Sequence, residues 1–329
     1  MQLPPLDDVL DGAVAFAIPL HMPFRGIDVR EGLLLRGPQG WAEFAPFADY
    51  GPQESSRWLA AAIEAGWAGW PEPMRGVVEV NAIVPAVDPV TAATLARESG
   101  CATVKVKVAE PGQSLDDDVA RVSAVRAAMG STAKIRIDAN GAWDVESAVR
   151  ALHALEPLGL QYVEQPCATV ADCGQVRRRC DVPVAVDEGV RKALDPSHVQ
   201  GLREAADLLV LKVPPLGGVR PALAVAATYG LPCVVSSALD TSVGLAAGLA
   251  LAAALPDLPY ACGLGSSRLL KNDVAADRLI PVGGRLEVRP VSPDARSLDA
   301  VGVPPSTLAA WGDRVRAAYA VLASRGATS

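Results

Sequence analysis

The chain has 329 residues, 50% hydrophobic and 20% charged, which is the composition of a globular protein and excludes disorder as its main theme. A formal net charge of −7 leaves no basic face to neutralise nucleic-acid phosphates or an anionic membrane surface. At roughly 100–200 residues per domain, the length fits one large barrel or two domains.

The first residues, MQLPPLDDVLDG, carry acids where a secretory signal would carry Lys or Arg, and the expected place is the cytoplasm. Six cysteines without a C-x-x-C pair read as reduced thiols, and His21, His153 and His198 are too scattered for a zinc motif. Residues 13–45 read as strands and turns, and Glu54–Ala65 as a helix before the Pro-rich boundary WPEPMRG. Eight short runs then follow: Val77–Val84, Thr103–Val108, Lys134–Asp138, Leu160–Glu164, Pro183–Asp187, Asp207–Val213, Pro232–Ser236 and Tyr260–Gly263. From the third run their starts are 26, 23, 24, 25 and 28 residues apart, the length of one strand, one helix and two loops. That alternation predicts parallel strands in a (β/α)8-type barrel. Helical spacing appears between runs over Asp116–Met129 and Glu146–Leu158. The apolar stretch Val243–Leu255 is shorter than the roughly 20 residues of a membrane span, and its Gly244-x-x-x-Gly248 spacing predicts a helix packed closely on a neighbour. Beyond Pro281 come a short strand, Arg285–Arg289, and a last helix, Pro305–Ala323. The expected fold class is therefore α/β: a modified TIM-type barrel over 87–280, with an α+β cap formed by residues 1–86 and the returning segment 281–329.

Chemistry in such barrels gathers where strands end. The ends here are Lys107, Asp138, Glu164, Asp187, Lys212 and Ser236. Three carboxylates from consecutive strands repel one another unless a divalent cation sits among them, and oxygen donors without His or Cys favour Mg2+, with Mn2+ able to substitute. Any one of these acids could instead cap a helix or pair with Arg. Lys107 and Lys212 end the second and sixth strands, diametrically opposite in a ring of eight. Desolvation and a nearby cation are expected to depress a lysine pKa and make the amine a usable base, which Arg cannot become. The chain writes 24 Arg and only 6 Lys, so a Lys kept in an apolar strand needs a reason. By the strand period of two, Lys105 and Arg136 share the inward face. Lys105 is a candidate for orienting a carboxylate, and Arg136 for binding an anionic substrate or balancing the acids. Asn140 reads as a turn residue or a partner of the ligands.

The ordered set K-V-K at 105–107, I-D-A-N-G-A-W at 137–143, V-E-Q-P at 163–166, V-D-E at 186–188 and L-K-V at 211–213 resembles the enolase superfamily, muconate-lactonising subgroup. FRG at 24–26, EFAPFADYGP at 43–52, VEQPCATV at 163–170, LKVPPLGGVR at 211–220 and VSSALDTSVGLAAG at 235–248 narrow the resemblance. They are similar to the branch that dehydrates 2-succinyl-6-hydroxy-2,4-cyclohexadiene-1-carboxylate to 2-succinylbenzoate in menaquinone biosynthesis. The resemblance implies a Mg2+-dependent hydro-lyase acting on a small carboxylate, with Asp138, Glu164 and Asp187 as metal ligands and no protein partner. In that reading the metal stabilises an enediolate, Lys107 removes the proton and protonates the departing hydroxyl on the same face, and Lys212 stabilises the charge from the opposite face. It also implies that Arg25, in the loop Phe24–Gly26, and the loop Phe47–Tyr50 close over the substrate, and that the segments Ser236–Ser237 and Gly263–Ser266, Gly265 among them, hold its succinyl tail through backbone N–H groups. Gly189 departs from the related pattern, which often has Ser after Asp-Glu. The same residues serve N-acylamino-acid racemases, dipeptide epimerases and muconate cycloisomerases. A Schiff-base aldolase using Lys212, or a barrel binding metal for structure only, leaves the acids or the paired lysines unexplained.

Overall fold

A computed structural model describes residues 3–326. Near the N-terminus, β1 (Val14–Phe24), β2 (Ile27–Gly37) and β3 (Gly40–Phe44) form an antiparallel sheet in that order. Arg25 and Gly26 turn β1 into β2, both at positive φ (54° and 73°), the conformation a two-residue hairpin of this hand requires. Both faces of the sheet are covered: Phe16, Ile18 and Leu34 lie on one side and Leu33, Leu35 and Phe44 on the other, each with no exposed surface. The helices Pro52–Ile63 and Pro305–Gly326 pack together, and the second also meets the sheet. Trp311 stands edge-on to Phe44 with ring centroids 6.0 Å apart, and Arg314 donates to the carbonyls of Pro46 and Phe47 at 3.2 and 2.8 Å. Tyr319 Oη donates to Pro4 O at 2.7 Å. The two chain ends thus build one α+β cap, because neither holds enough apolar surface to close a core alone.

Between the ends lies the barrel. β4 (Val77–Glu79) pairs antiparallel with β12 (Arg285–Glu287), outside the main sheet. β5 (Ala82–Val84), β6 (Thr103–Lys107), β7 (Lys134–Asp138), β8 (Leu160–Glu164), β9 (Val184–Val186), β10 (Leu208–Leu211) and β11 (Cys233–Val235) form a seven-stranded parallel sheet in chain order. Residues around 262 join its edges through two parallel bridges, Val80 to Cys262 and Ser236 to Gly263. The expected first run therefore divides at Val80–Asn81, and the eighth contributes single bridges rather than a strand. A side chain at Gly263 would place its Cβ 2.6 Å from Ser236 Oγ, so glycine lets the chain approach there.

The crossover helices start on local signals. Ser114 and Asp117 form a capping box on Leu115–Met129, and Asp144 caps Val145–Leu155 by accepting from Ser147 N. The apolar helix Ser242–Ala254 is buried between barrel and cap; Gly244 lies under Glu43 and Gly248 under Leu264. Among the described residues no helix is long and apolar enough to cross a membrane.

Candidate active site

Strand register sets the site. Lys107 pairs with Asp138 and Asp138 with Glu164 across neighbouring strands, while Asp187 and Lys212 stand one residue past β9 and β10. All five side chains therefore reach one level at the C-terminal mouth of the barrel. A cleft of about 620 Å³ opens there between barrel and cap, lined by Lys105, Lys107, Asp138, Asn140 and Lys212 from below and by Phe24, Arg25 and Phe47 from above.

The acids are buried and tied to cations. Lys105 Nζ reaches both oxygens of Glu164 at 2.9 Å and Asp138 Oδ2 at 3.2 Å. Lys107 Nζ lies 2.6 Å from Asp138 Oδ2 and donates to Asn140 Oδ1. Across the mouth, Lys212 Nζ donates to Asp187 Oδ2 at 2.6 Å and Arg191 Nε to Asp187 Oδ1 at 2.9 Å. Burial by itself would raise the pKa of Asp138, but Lys107 and Lys105 outweigh it and hold the carboxyl well below the usual range. Asp187 behaves alike: Lys212 and Arg191 overcome burial and bring it to about 2. Glu164 goes the other way, to about 7, pushed first by burial and then by Asp138, with Lys105 unable to compensate.

Among the described residues no three His, Cys, Asp or Glu side chains converge into a ready-made metal cage. The expectation that the acids meet at one point is corrected in this respect: they share a level, but each is turned onto a lysine or arginine. The donor set nonetheless fits a hard divalent cation, being three buried carboxylates with oxygen donors only.

Comparisons with known proteins decide the family. Residues 15–66 match the family model "Enolase N-terminal domain-like" and residues 90–294 "Enolase C-terminal domain-like". An o-succinylbenzoate synthase of Thermobifida fusca is 59% identical over 93% of this chain and 95% of its own length, and one of Mycobacterium leprae 51% identical over 97% and 95%. The chain belongs to the o-succinylbenzoate synthase family of the enolase superfamily. A muconate lactonizing enzyme structure from Pseudomonas fluorescens shares the fold, with a TM-score of 0.76, 19% identity and coverage of 88% of this chain and 98% of that one.

Other residues singled out in this family member fall into two groups. Asn140, at φ 48°, takes Asp138 Oδ1 on its backbone N–H at 3.0 Å and turns its amide to Glu188 Oε1 at 3.2 Å. Ser236 and Ser237 line the cleft; Ser237 Oγ lies 2.7 Å from Ser266 Oγ and 3.0 Å from Gly263 O. Arg25 lines it from the hairpin tip. Arg136, by contrast, does not reach the cleft. It is wholly buried one layer deeper, where it donates to Gln161 Oε1, Asn81 Oδ1 and Ala261 O and lies over the Tyr162 ring. The period of two gave its face but not its depth. Gly265 also lies off the cleft, and its neighbour Ser266 takes the lining position. At Gly189 a Cβ would stand 2.7 Å from Val170 Cγ2, so the departure from Ser follows from packing.

Sequence reasoning missed Arg191, Glu188 and Lys192, all of which line the cleft, whereas Ser266 ends the expected tail-binding segment Gly263–Ser266. Arg191 stands four residues after Asp187 on one short helix, a spacing that carries a signal only once that helix is known.

Proposed function

We propose that the chain catalyses the syn-dehydration of 2-succinyl-6-hydroxy-2,4-cyclohexadiene-1-carboxylate to 2-succinylbenzoate, a cytoplasmic step of menaquinone biosynthesis. The observation that carries the reading is its 50–59% identity to o-succinylbenzoate synthases over almost the whole chain. The division of labour we assign is a barrel that holds the chemistry and a cap that covers it, with the expected boundary at 86/87 moved earlier because Ala82–Val84 pairs in the barrel sheet. Six cysteines free of disulfides suit a reducing compartment.

Asp138, Glu164 and Asp187 are the residues we assign to Mg2+, which when bound supplies positive charge to the substrate carboxylate as its α-proton leaves. Lys107 is the base. Its side chain is 18% exposed at the cleft, against 6% for Lys105, so its amine faces the substrate while the Lys105 amine stays on Glu164. The proton it takes goes back to the departing hydroxyl on the same face, since the ammonium formed in the first step is the nearest acid for the second. Lys212, 13% exposed on the opposite wall, presents a cation to the charge that develops in the ring. Ser237 and Ser266 offer hydroxyls to the succinyl tail, and Phe24 and Phe47 shield the ring from water.

Two facing lysines also suit proton transfer on both faces, which is racemase chemistry. The test is purified chain offered each substrate with Mg2+ and with EDTA. We expect loss of the cyclohexadiene absorbance with Mg2+ and none with EDTA. An untouched cyclohexadiene together with racemised N-succinyl amino acids would replace the dehydratase reading.

A further inference from the structure

Tyr50 belongs to the cap, yet its hydroxyl is shared by two arginines of different origin. Arg25 Nη2 donates to Tyr50 Oη at 2.8 Å from the tip of the β1–β2 hairpin. Arg191 Nη1 donates to the same oxygen at 3.2 Å from the short helix that follows β9. Arg191 in turn holds Asp187 Oδ1 through Nε at 2.9 Å and Glu188 Oε1 through Nη2 at 2.6 Å. A phenol oxygen accepts two hydrogen bonds, and two guanidinium groups brought to one neutral oxygen repel each other unless something fixes them. Each is fixed. Arg25 stacks on Phe47 at 4.0 Å, and Arg191 is pinned by Asp187 and Glu188. The Tyr50 ring cannot swing away, because Phe47 and Trp58 stand edge-on to it at 5.7 and 6.1 Å. Its backbone carbonyl accepts from Ser55 Oγ and from Arg314 of the last helix.

Resting on the assignment of Asp187 to the cation, we propose that Tyr50 is a positioning residue: its hydroxyl couples the hairpin carrying Arg25 to the carboxylate of Asp187 through Arg191. Both oxygens of Asp187 are engaged, one by Lys212 and one by Arg191. A cation that draws on Asp187 must therefore move Arg191 or Lys212. Arg191 cannot move without shifting the oxygen it shares with Arg25. Occupation of the ligand site is in this way felt at the hairpin over the cleft, in a chain of contacts with no solvent gap.

Hydrogen exchange of the Arg25 and Gly26 amides tests this, read with and without Mg2+ alone, no substrate present. In the wild-type chain Mg2+ is expected to change their exchange roughly five-fold or more, the lower end of ordinary coupling between sites. Tyr50→Phe keeps the ring and its edge contacts, and is expected to abolish that response while Mg2+ still binds by calorimetry. Arg25→Gln, at an exposed hairpin tip, cuts the other end and is expected to do the same, which keeps the test open should Tyr50→Phe not fold. A purely structural role would alter basal exchange and leave the Mg2+ response intact, and that result overturns the proposal. Dehydration that proceeds normally while Tyr50→Phe keeps the full response sinks the coupling alone. A response lost in Tyr50→Phe in a chain that dehydrates nothing sinks the assigned reaction alone.

Discussion

Two lysines face each other across the barrel mouth in a chain that writes Arg four times as often as Lys, and their neighbours explain the choice. An amine can give up its proton and take one from carbon, whereas a guanidinium stays charged. Lys107→Arg therefore keeps a cation beside Asp138 but is expected to lose about 10²–10⁴-fold in kcat, the usual share of a general base, with an unchanged circular dichroism spectrum. Lys212→Ala is expected to lose turnover while the melting temperature shows that the fold survives. The placement of both lysines at the cleft was legible in the sequence because strand ends, period and residue type all point the same way. Arg136 was not, since alternation tells inward from outward but not which layer a side chain occupies. Arg191 escaped notice because its pairing with Asp187 depends on a four-residue helix that no apolar period announces.

At the scale of elements, the strands and crossover helices follow from capping signals and periodicity, and the exceptions lie where the ring closes. The run Val77–Val84 serves two sheets, its first half on Arg285–Glu287 and its second in the barrel, a partner that only the fold supplies. The joint between cap and barrel rests on buried acids. Glu64, in the turn after Pro52–Ile63, accepts from Val219 N and, at 3.0 Å, from Arg220 N, and so caps the helix Val219–Tyr229 that follows Lys212. The second glycine of LKVPPLGGVR is needed there, because at Gly218 (φ 138°) a Cβ would run into Glu64 Oε2. Glu64→Ala leaves those amides without a partner and is expected to cost about 1–3 kcal/mol in chemical denaturation.

Over the whole molecule, buried polar contacts join the cap to the barrel alongside apolar surface. Glu43 of β3 meets Thr241 N of the barrel at 3.0 Å and Arg30 of β2 at 3.9 Å, with Asp240 nearby. Burial, and then Asp240, push its carboxyl up to about 8 against Arg30 and the Thr241 donors. Folded Glu43 thus holds its proton more tightly than the unfolded chain. The stability this brings is complete below the ordinary glutamate value of 4.5 and is lost as pH rises through about 8. Glu43→Gln is expected to flatten the fall of Tm across that window; a wild-type Tm that rises there instead would contradict the burial of a protonated Glu43. The central claim is that Lys107, beside three carboxylates assigned to Mg2+, is the base of a dehydration. Its most direct test is 2-succinylbenzoate formation by wild type and Lys107→Ala in saturating Mg2+. The account predicts rapid aromatisation by the wild type and a rate about 10²–10⁴-fold lower in the variant. Product formed by Lys107→Ala at the wild-type rate would contradict it.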